Sequence, residues 1–151
     1  MVNLEYSKQE YYPKILKRVG PIQLNFTIMI EWYLKAVRDN YANFEGRASR
    51  PEYWYFFLAN FLVGFILGFI GAIVPIVMYV SYLYSLAVLV PSIAAAVRRI
   101  HDVGKSGWYV LIPIYNIVLL ATEGQNGPNE FGPDPVNPYN ELNDIGRPDV
   151  Y

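Results

Sequence analysis

The stretch that decides the fold is residues 53–97, which read YWYFFLANFLVGFILGFIGAIVPIVMYVSYLYSLAVLVPSIAAAV. None of these 45 residues is Asp, Glu, Lys or Arg. A helix that crosses a membrane needs about 20 consecutive apolar residues, so the stretch is long enough for two. A soluble domain would have to enclose it, and the rest of the 151-residue chain is too short and too polar to do so. The sequence therefore predicts an all-α, polytopic membrane protein with a single domain.

Turn and interface signals divide this stretch into two predicted spans. The first covers about residues 53–73 and opens with three aromatic residues, as is typical of the headgroup level of a membrane. The chain turns near Val74-Pro75, and the second span covers about residues 76–97. Gly64 and Gly68 form a G-x-x-x-G pattern, which allows two helix backbones to approach closely. We expect that pattern to pack against the second span, with homodimerisation as the alternative.

A third apolar stretch, residues 108–122, is shorter and contains Pro113 and Asn116. As a helix it would extend about 22 Å, less than the hydrocarbon core of about 30 Å. Either it crosses where the bilayer thins, or it re-enters on one side. Lys and Arg collect at the cytoplasmic ends of spans, and three crossings place both basic segments inside and the acidic tail outside. We therefore predict three spans and a cytoplasmic N-terminus.

The flanks of the spans complete the predicted organisation. Residues 1–28 are a polar N-terminal extension, residues 29–136 form the membrane domain, and residues 137–151 are a mobile acidic tail. Residues 29–43 are predicted to form an amphipathic helix, which lies in the membrane interface or packs on the spans. Its apolar face carries Ile30, Tyr33, Leu34, Val37 and Tyr41, and its charged face carries Glu31, Lys35, Arg38 and Asp39.

Three motifs carry a resemblance to a known family. They are Phe44-x-Gly46-Arg47-Ala48-x-Arg50-x-Glu52-Tyr53-Trp54, Arg98-Arg99-Ile100-His101-Asp102-x-Gly104-x-Ser106-Gly107-Trp108 and Gly127-x-Asn129-x-Phe131-Gly132-x-Asp134-Pro135. Over about residues 29–136 their order and spacing resemble the bacterial inner-membrane family that carries the domain of unknown function numbered 805. The resemblance implies a bacterial inner-membrane location and no established activity. Family members commonly begin just before Trp32, so translation from Met29 is one expectation and an added arm at residues 1–28 is the other.

The residues offer little for catalysis. His101 is the only histidine and cysteine is absent, which argues against imidazole-based metal catalysis and thiol chemistry. No phosphate-binding loop or nucleophile elbow occurs, and no basic stripe suits nucleic acid. We therefore expect no enzymatic activity, no cofactor, no metal and no nucleic-acid partner.

One cluster of charges is the candidate site. If the spans form a hairpin, Glu52 lies beside Arg98 or Arg99, and Asp102 and His101 share a helix face with Arg98. The cluster is either a structural collar of ion pairs or a site for a phosphate or an anionic lipid headgroup. The residues assigned to it are Arg47, Arg50, Glu52, Arg98, Arg99, His101 and Asp102.

Two functions of different classes follow from these features. We favour a non-enzymatic scaffold or accessory protein, which contacts lipid headgroups, a membrane-protein partner or a second copy of itself. The alternative is a small oligomeric transporter or channel, which needs polar side chains along a pore. The available candidates are Asn60, Tyr79, Ser81, Tyr82, Ser85 and Asn116.

Overall fold

The computed structural model describes residues 26–136, and within that part it contains helices and no strand. Its elements are α1 (Phe26–Leu34) with a π-helical continuation (Lys35–Asp39), α2 (Arg50–Ile73), α3 (Ile76–Asp102), a 3₁₀ helix (Gly107–Leu111) and α4 (Tyr115–Ala121). The prediction of an all-helical protein is confirmed. The predicted cytoplasmic N-terminus, most of the extension at residues 1–28 and the tail at residues 137–151 lie outside the described residues.

α2 and α3 form the predicted hairpin. Ser49 caps α2 by accepting a hydrogen bond from the backbone N–H of Glu52, and Pro51 occupies the first turn, where a missing N–H costs nothing. α2 has 24 residues and α3 has 27, and both are long and apolar enough to cross a membrane. α3 continues to Asp102, five residues beyond the predicted end at Val97. The charged residues 98–102 therefore form its last turn.

α1 runs beside α2 in the opposite direction. Near its start Phe26 and Met29 line an apolar groove with Leu62 and Ile66, and after its end Lys35 contacts Glu52 at the beginning of α2. The helix already includes Phe26, the first described residue, three residues before the predicted start. α1 therefore lies alongside α2 between Glu52 and Ile66.

The predicted apolar face of this helix is only partly buried inside the protein, since Ile30, Leu34 and Tyr41 are exposed. The side chains buried there belong to Ile28, Met29, Trp32 and Ala36. The helix continues into a π-helical turn, which the hydrogen bond from Asn40 N to Lys35 O closes at 3.0 Å. A π turn takes in one residue more than an α turn, so the helical phase assumed across residues 30–41 does not hold beyond Leu34.

The third apolar stretch is not a continuous helix. The 3₁₀ helix and α4 are two arms, each about 10 Å long. Between them Ile114 has φ 69° and ψ −54°, and Tyr115 N donates to Pro113 O at 2.8 Å. This is a γ-turn of the rare, strained form, which reverses the chain. Asn116 Nδ2 joins the arms by donating to Val110 O at 2.9 Å.

Both ends of this broken segment lie at the same end of α3. A Cβ on Gly107 would meet the side chains of Val97 and His101, and Arg99 donates hydrogen bonds to carbonyls of Leu120 and Thr122. The described part therefore has two helices of spanning length and a short hairpin, so the predicted third span is not confirmed. Pro113 and the short length of the stretch are the physical reasons.

The buried core lies at this same end of the α2–α3 hairpin, where four elements meet. Alanines of α3 allow close approach, and aromatic residues of α2 fill the remaining space. Its buried members are Ala36, Tyr53, Phe56, Ala95, Ala96, Ile100, Leu119 and Leu120. Gly64 and Gly68 lie outside it, and a Cβ on either would meet nothing within 4 Å. The expectation that this pair packs against the second span is therefore wrong. Gly71 makes the close contact instead, with Met78.

Candidate functional site: a buried charge cluster at one end of the hairpin

Two carboxylates organise the charges at the end of the hairpin, and the first is Glu52. Its Oε1 accepts a hydrogen bond from Arg98 Nη1 at 3.1 Å, and its Oε2 accepts one from Lys35 Nζ at 3.1 Å. The side chain of Glu52 is 1% exposed, so this contact joins three helical elements inside the protein. Glu52 was predicted to lie beside Arg98 or Arg99, and in the structure its partner of these two is Arg98.

The second carboxylate, Asp102, lies one turn beyond Arg98 on α3. It accepts from Arg47 Nε at 2.9 Å and from Arg99 Nη1. Both arginine side chains are at most 1% exposed. Although Asp102 and Arg98 were expected to share a helix face, Asp102 pairs with Arg99 at i,i+3 and Arg98 pairs with Glu52 of α2.

The loop before α2 is held against the end of α3 by its backbone. Ala48 N donates to Arg98 O at 3.0 Å. Gly46, with φ 78°, turns the chain so that its carbonyl lies 3.2 Å from His101 Nδ1. A positive φ is accessible to glycine at no steric cost. These contacts bring Arg47 under the end of α3.

Residues 123–134 close the cluster from the other side. Arg47 Nη1 donates to Gly127 O at 2.6 Å and its Nη2 donates to Gln125 O. Asn129 Nδ2 donates to His101 O at 3.0 Å, and the ring of Phe131 stacks on the His101 ring with centroids 4.0 Å apart. The third sequence motif is therefore packed on the first two, at the same end of the hairpin.

Two further contacts shape this closing loop. Asp134 is buried, and its Oδ2 accepts from Gly127 N at 3.2 Å. Gly124 lies against the Asp102 carboxylate, where a Cβ would overlap the oxygen atoms. Glycine is required there by close approach rather than by backbone conformation.

The structure brings six of the seven predicted site residues together and leaves Arg50 exposed at the start of α2. Sequence reasoning missed two members of the cluster, Lys35 and Asp134. Lys35 was placed on the charged face of the amphipathic helix and not in the site. The signal for Asp134 was present, since it belongs to the third family-like motif. Among residues 26–136, no three His, Asp or Glu side chains come close enough to hold a metal ion.

Several positive charges are gathered inside the protein at this end. In the described part of the chain, Lys35, Arg47, Arg98 and Arg99 contact the carboxylates of Glu52 and Asp102, and Asp39 and Asp134 act on the cluster from nearby. Burial lowers the pKa of Lys35 to about 8, although the neighbouring Glu52 acts to raise it.

Comparisons with known proteins agree with the motif resemblance. Inner membrane protein YhaI of Escherichia coli (strain K12) is 42% identical over 114 residues, which cover 70% of this chain and 96% of that protein. Inner membrane protein YhaH of the same strain is 36% identical over 124 residues, which cover 70% of this chain and 97% of that protein. No solved structure matches the chain.

The family described as "Protein of unknown function (DUF805)" matches residues 41–133, which include the whole charge cluster apart from Lys35 and Asp134. The matched range holds α2, α3, the short hairpin and most of the closing loop. The chain therefore belongs to the DUF805 family of proteins of unknown function.

Proposed function

We propose that the protein is a non-enzymatic accessory protein of the inner membrane, which acts through contacts of its helices with partner helices and lipids. The exposed apolar surface of α2 and α3 carries this proposal. In their most apolar stretches only 17% and 22% of the residues are buried inside the protein. Exposed side chains such as Phe65, Leu86 and Tyr82 would cost free energy in water but not in a bilayer or against another apolar helix.

The state of the polar side chains supports a non-enzymatic role. Asp102 accepts from two arginines, and Arg47 and Arg99 donate from all three of their nitrogen atoms. His101 is stacked on Phe131. Groups used in this way hold the fold together and are poorly placed to exchange protons with a substrate.

Our proposed topology has two crossings, with the charge cluster at the cytoplasmic side. All seven Lys and Arg residues of the described part belong to α1 and its π turn, to the 43–50 loop or to the chain from Arg98 to Lys105. The turn between α2 and α3 has none, and cytoplasmic ends of spans are the basic ones. α1 then enters the bilayer beside α2 rather than lying in the interface.

The short hairpin re-enters from the cytoplasmic side in this topology. Its arms of about 10 Å reach roughly a third of the way through a hydrocarbon core of about 30 Å. Its tip carries Ile114, which is 77% exposed. The contacts of Arg47 with Gln125 and Gly127 favour a cytoplasmic position for residues 123–134, opposite to the external tail that charge counting predicts.

Single cysteines test this topology, because the natural chain has none. In spheroplasts, Val74→Cys should react with a membrane-impermeant maleimide, while Lys105→Cys and Glu130→Cys should react only after the membrane is opened. All three positions are exposed. Labelling of Glu130→Cys from outside, with Lys105→Cys protected, would restore three crossings and refute the re-entrant hairpin.

Site-specific photo-crosslinking tests the function itself. A photo-reactive residue at Phe65 or Leu86, both exposed, should yield a discrete protein adduct from one face and lipid adducts from the other. Ala95, which is 1% exposed, is the matched buried control and should give neither. Absence of a protein adduct from every exposed position of α2 and α3 would contradict the partner-helix role.

The surface at Gly64 and Gly68 is open and leaves room for a second copy of the chain. This observation favours the alternative of an oligomeric transporter. Against it, several polar groups of the spans bond within the protein. Tyr84 donates to Asn60 Oδ1 at 2.8 Å, and Ser81 donates to the backbone. Solute flux from liposomes that contain the protein should therefore equal that of empty liposomes.

A further inference from the structure

The three buried arginines of the charge cluster differ in how many of their donors are used. Arg47 donates from Nε to Asp102 and from its two terminal nitrogens to carbonyls of Gly127 and Gln125. Arg99 donates from Nε to Leu120 O and from its terminal nitrogens to Asp102 and Thr122. Every nitrogen atom of these two guanidinium groups therefore has an acceptor in the protein.

Arg98 is the exception. Its Nη1 donates to Glu52 at 3.1 Å, but its Nε and Nη2 have no acceptor in the described part of the chain. The residue is 3% exposed, so water cannot freely supply one. Nε and Nη2 lie on the same edge of the planar guanidinium, and together they form a fork that binds two oxygen atoms at once.

The unused edge of Arg98 is itself the reason to expect an anion. Its Nη1 shares the Glu52 carboxylate with Lys35, each at 3.1 Å, so the Glu52 oxygens are already occupied. A buried donor without a partner costs about 1–3 kcal/mol, and a charged one costs more. An external ligand with two adjacent anionic oxygens would satisfy both donors of the fork.

We propose that the Nε–Nη2 edge of Arg98 binds a phosphate group, supplied either by a phospholipid headgroup or as free phosphate. This inference rests on the proposed placement of the charge cluster at the cytoplasmic leaflet, where phospholipid phosphates are concentrated. Arg98 belongs to the last turn of α3, where the span meets the headgroup level. Arg47 and Arg99, whose nitrogen atoms all have acceptors in the protein, shape the site without contacting the ligand.

The experiment uses the purified full chain in lipid-free micelles and follows its thermal unfolding. One arm adds inorganic phosphate, with chloride at equal ionic strength as reference. The other adds phosphatidylglycerol, with a neutral glycolipid that lacks phosphate as reference. The wild type should be stabilised by at least one phosphate compound. Arg98→Lys keeps the charge and loses the fork, so its affinity should fall about tenfold, the factor for one charge-assisted hydrogen bond.

Arg50→Gln is the matched control, since Arg50 is an exposed arginine at the same end of the protein and should leave the effect unchanged. Stabilisation by phosphatidylglycerol alone assigns the headgroup as the source, and stabilisation by inorganic phosphate assigns free phosphate as well. No stabilisation of the wild type by either compound, or equal stabilisation of Arg98→Lys, would overturn the proposal.

If Arg98→Lys does not fold, binding can be followed by NMR through the Nε–H resonance of Arg98 in the wild-type protein. It should move during a titration with the compound that stabilises the protein, and a resonance that stays in place would overturn the site. The inorganic-phosphate arm needs neither a bilayer nor a partner. Failure of phosphate binding is therefore distinguishable from failure of the proposed accessory role.

Discussion

The two ends of the α2–α3 hairpin are built from different interactions. At the end where α2 begins and α3 finishes, Glu52, Arg98, Arg99 and Asp102 are buried, and two loops and a short hairpin pack around them. At the opposite end, around the turn at Val74-Pro75, α2 and α3 meet only each other among residues 26–136, and most side chains there are exposed. The polar end derives its stability from specific contacts inside the protein, whereas the apolar end depends on what surrounds it.

This difference predicts where substitutions matter. In the charge cluster Glu52, Asp102, Arg47 and Arg99 each have two or more partners, so one change leaves other buried groups unpaired. At the apolar end a side chain has few protein partners to lose, and its replacement by another apolar residue changes mainly the contact with lipid. The largest and smallest effects should therefore separate by position along the hairpin rather than by residue type.

The largest effect is expected for Arg99→Gln. Arg99 is 0% exposed and bonds to Asp102 and to the carbonyls of Leu120 and Thr122. Removal of one partner from a buried ion pair costs about 3–5 kcal/mol, because the remaining charge is left uncompensated. Chemical unfolding in micelles measures the loss. Ser85→Ala, on the exposed face of α3, is the control and should change the free energy of unfolding by less than about 0.5 kcal/mol.

A pair of glycine substitutions compares the two ends directly. Gly124→Ala places a methyl group on the Asp102 carboxylate, and overpacking of this kind costs about 1–3 kcal/mol. Gly64→Ala meets nothing within 4 Å on α2 and should be neutral, or stabilising by up to about 1 kcal/mol, because alanine favours a helix. Equal losses in the two variants would show that a second copy covers Gly64, which a concentration-dependent unfolding midpoint would confirm.

The sequence predicted the helix hairpin and the contact of Glu52 with Arg98 for one reason. The charge-free run of 45 residues is long enough for two crossings, and the residues that bracket it must then meet at one end. This inference needs only lengths. The choice of partner for Asp102 could not be made in the same way, since Arg98 and Arg99 are both within reach along a helix. The packing of α2 on one side and of the closing loop on the other decides it.

The position of residues 123–134 was missed because a run of 15 apolar residues resembles a short span. The signal against a span was its division by Pro113 into two short arms, a pattern that suits a hairpin as well as a bent helix. The number of Lys and Arg residues in the tail could not decide between them, because residues 123–136 contain neither. Hydrogen bonds to Arg47 and Asp102 hold the loop, and backbone acceptors leave no mark in a charge pattern.

A smaller effect is expected from pH through Lys35. Its pKa is about 8 in the folded protein, below the value of about 10.4 in an unfolded chain, so between these values the unfolded state binds more protons. The free energy of unfolding should therefore rise with pH from about 8 upward, by at most about 1.4 kcal/mol per pH unit, and Lys35 should contribute no slope below that. Glu52, Arg98 and Asp39 are the charged groups that act on Lys35.

Unfolding curves between pH 7.5 and about 9.5 test this contribution. Lys35→Met should remove the rise, while Lys105→Met, at an exposed position, should keep it. Subtraction of the two variants cancels the titration of the tyrosines. A slope that persists in Lys35→Met would assign the pH dependence to another group and place Lys35 in a more solvated environment than the structure gives it.

The smallest effect is the coupling between Glu52 and Arg98. Glu52→Gln and Arg98→Gln should each destabilise the protein, and the double variant should cost less than their sum. Since Glu52 keeps Lys35 as a second partner at 3.1 Å, we expect a coupling energy of only about 1 kcal/mol, near the low end for residues in contact. The same cycle with Lys35→Met in the background should give a larger value, because Arg98 is then the only cation on Glu52 among the described contacts. Strictly additive losses in both backgrounds would mean that Glu52 and Arg98 do not touch in the membrane.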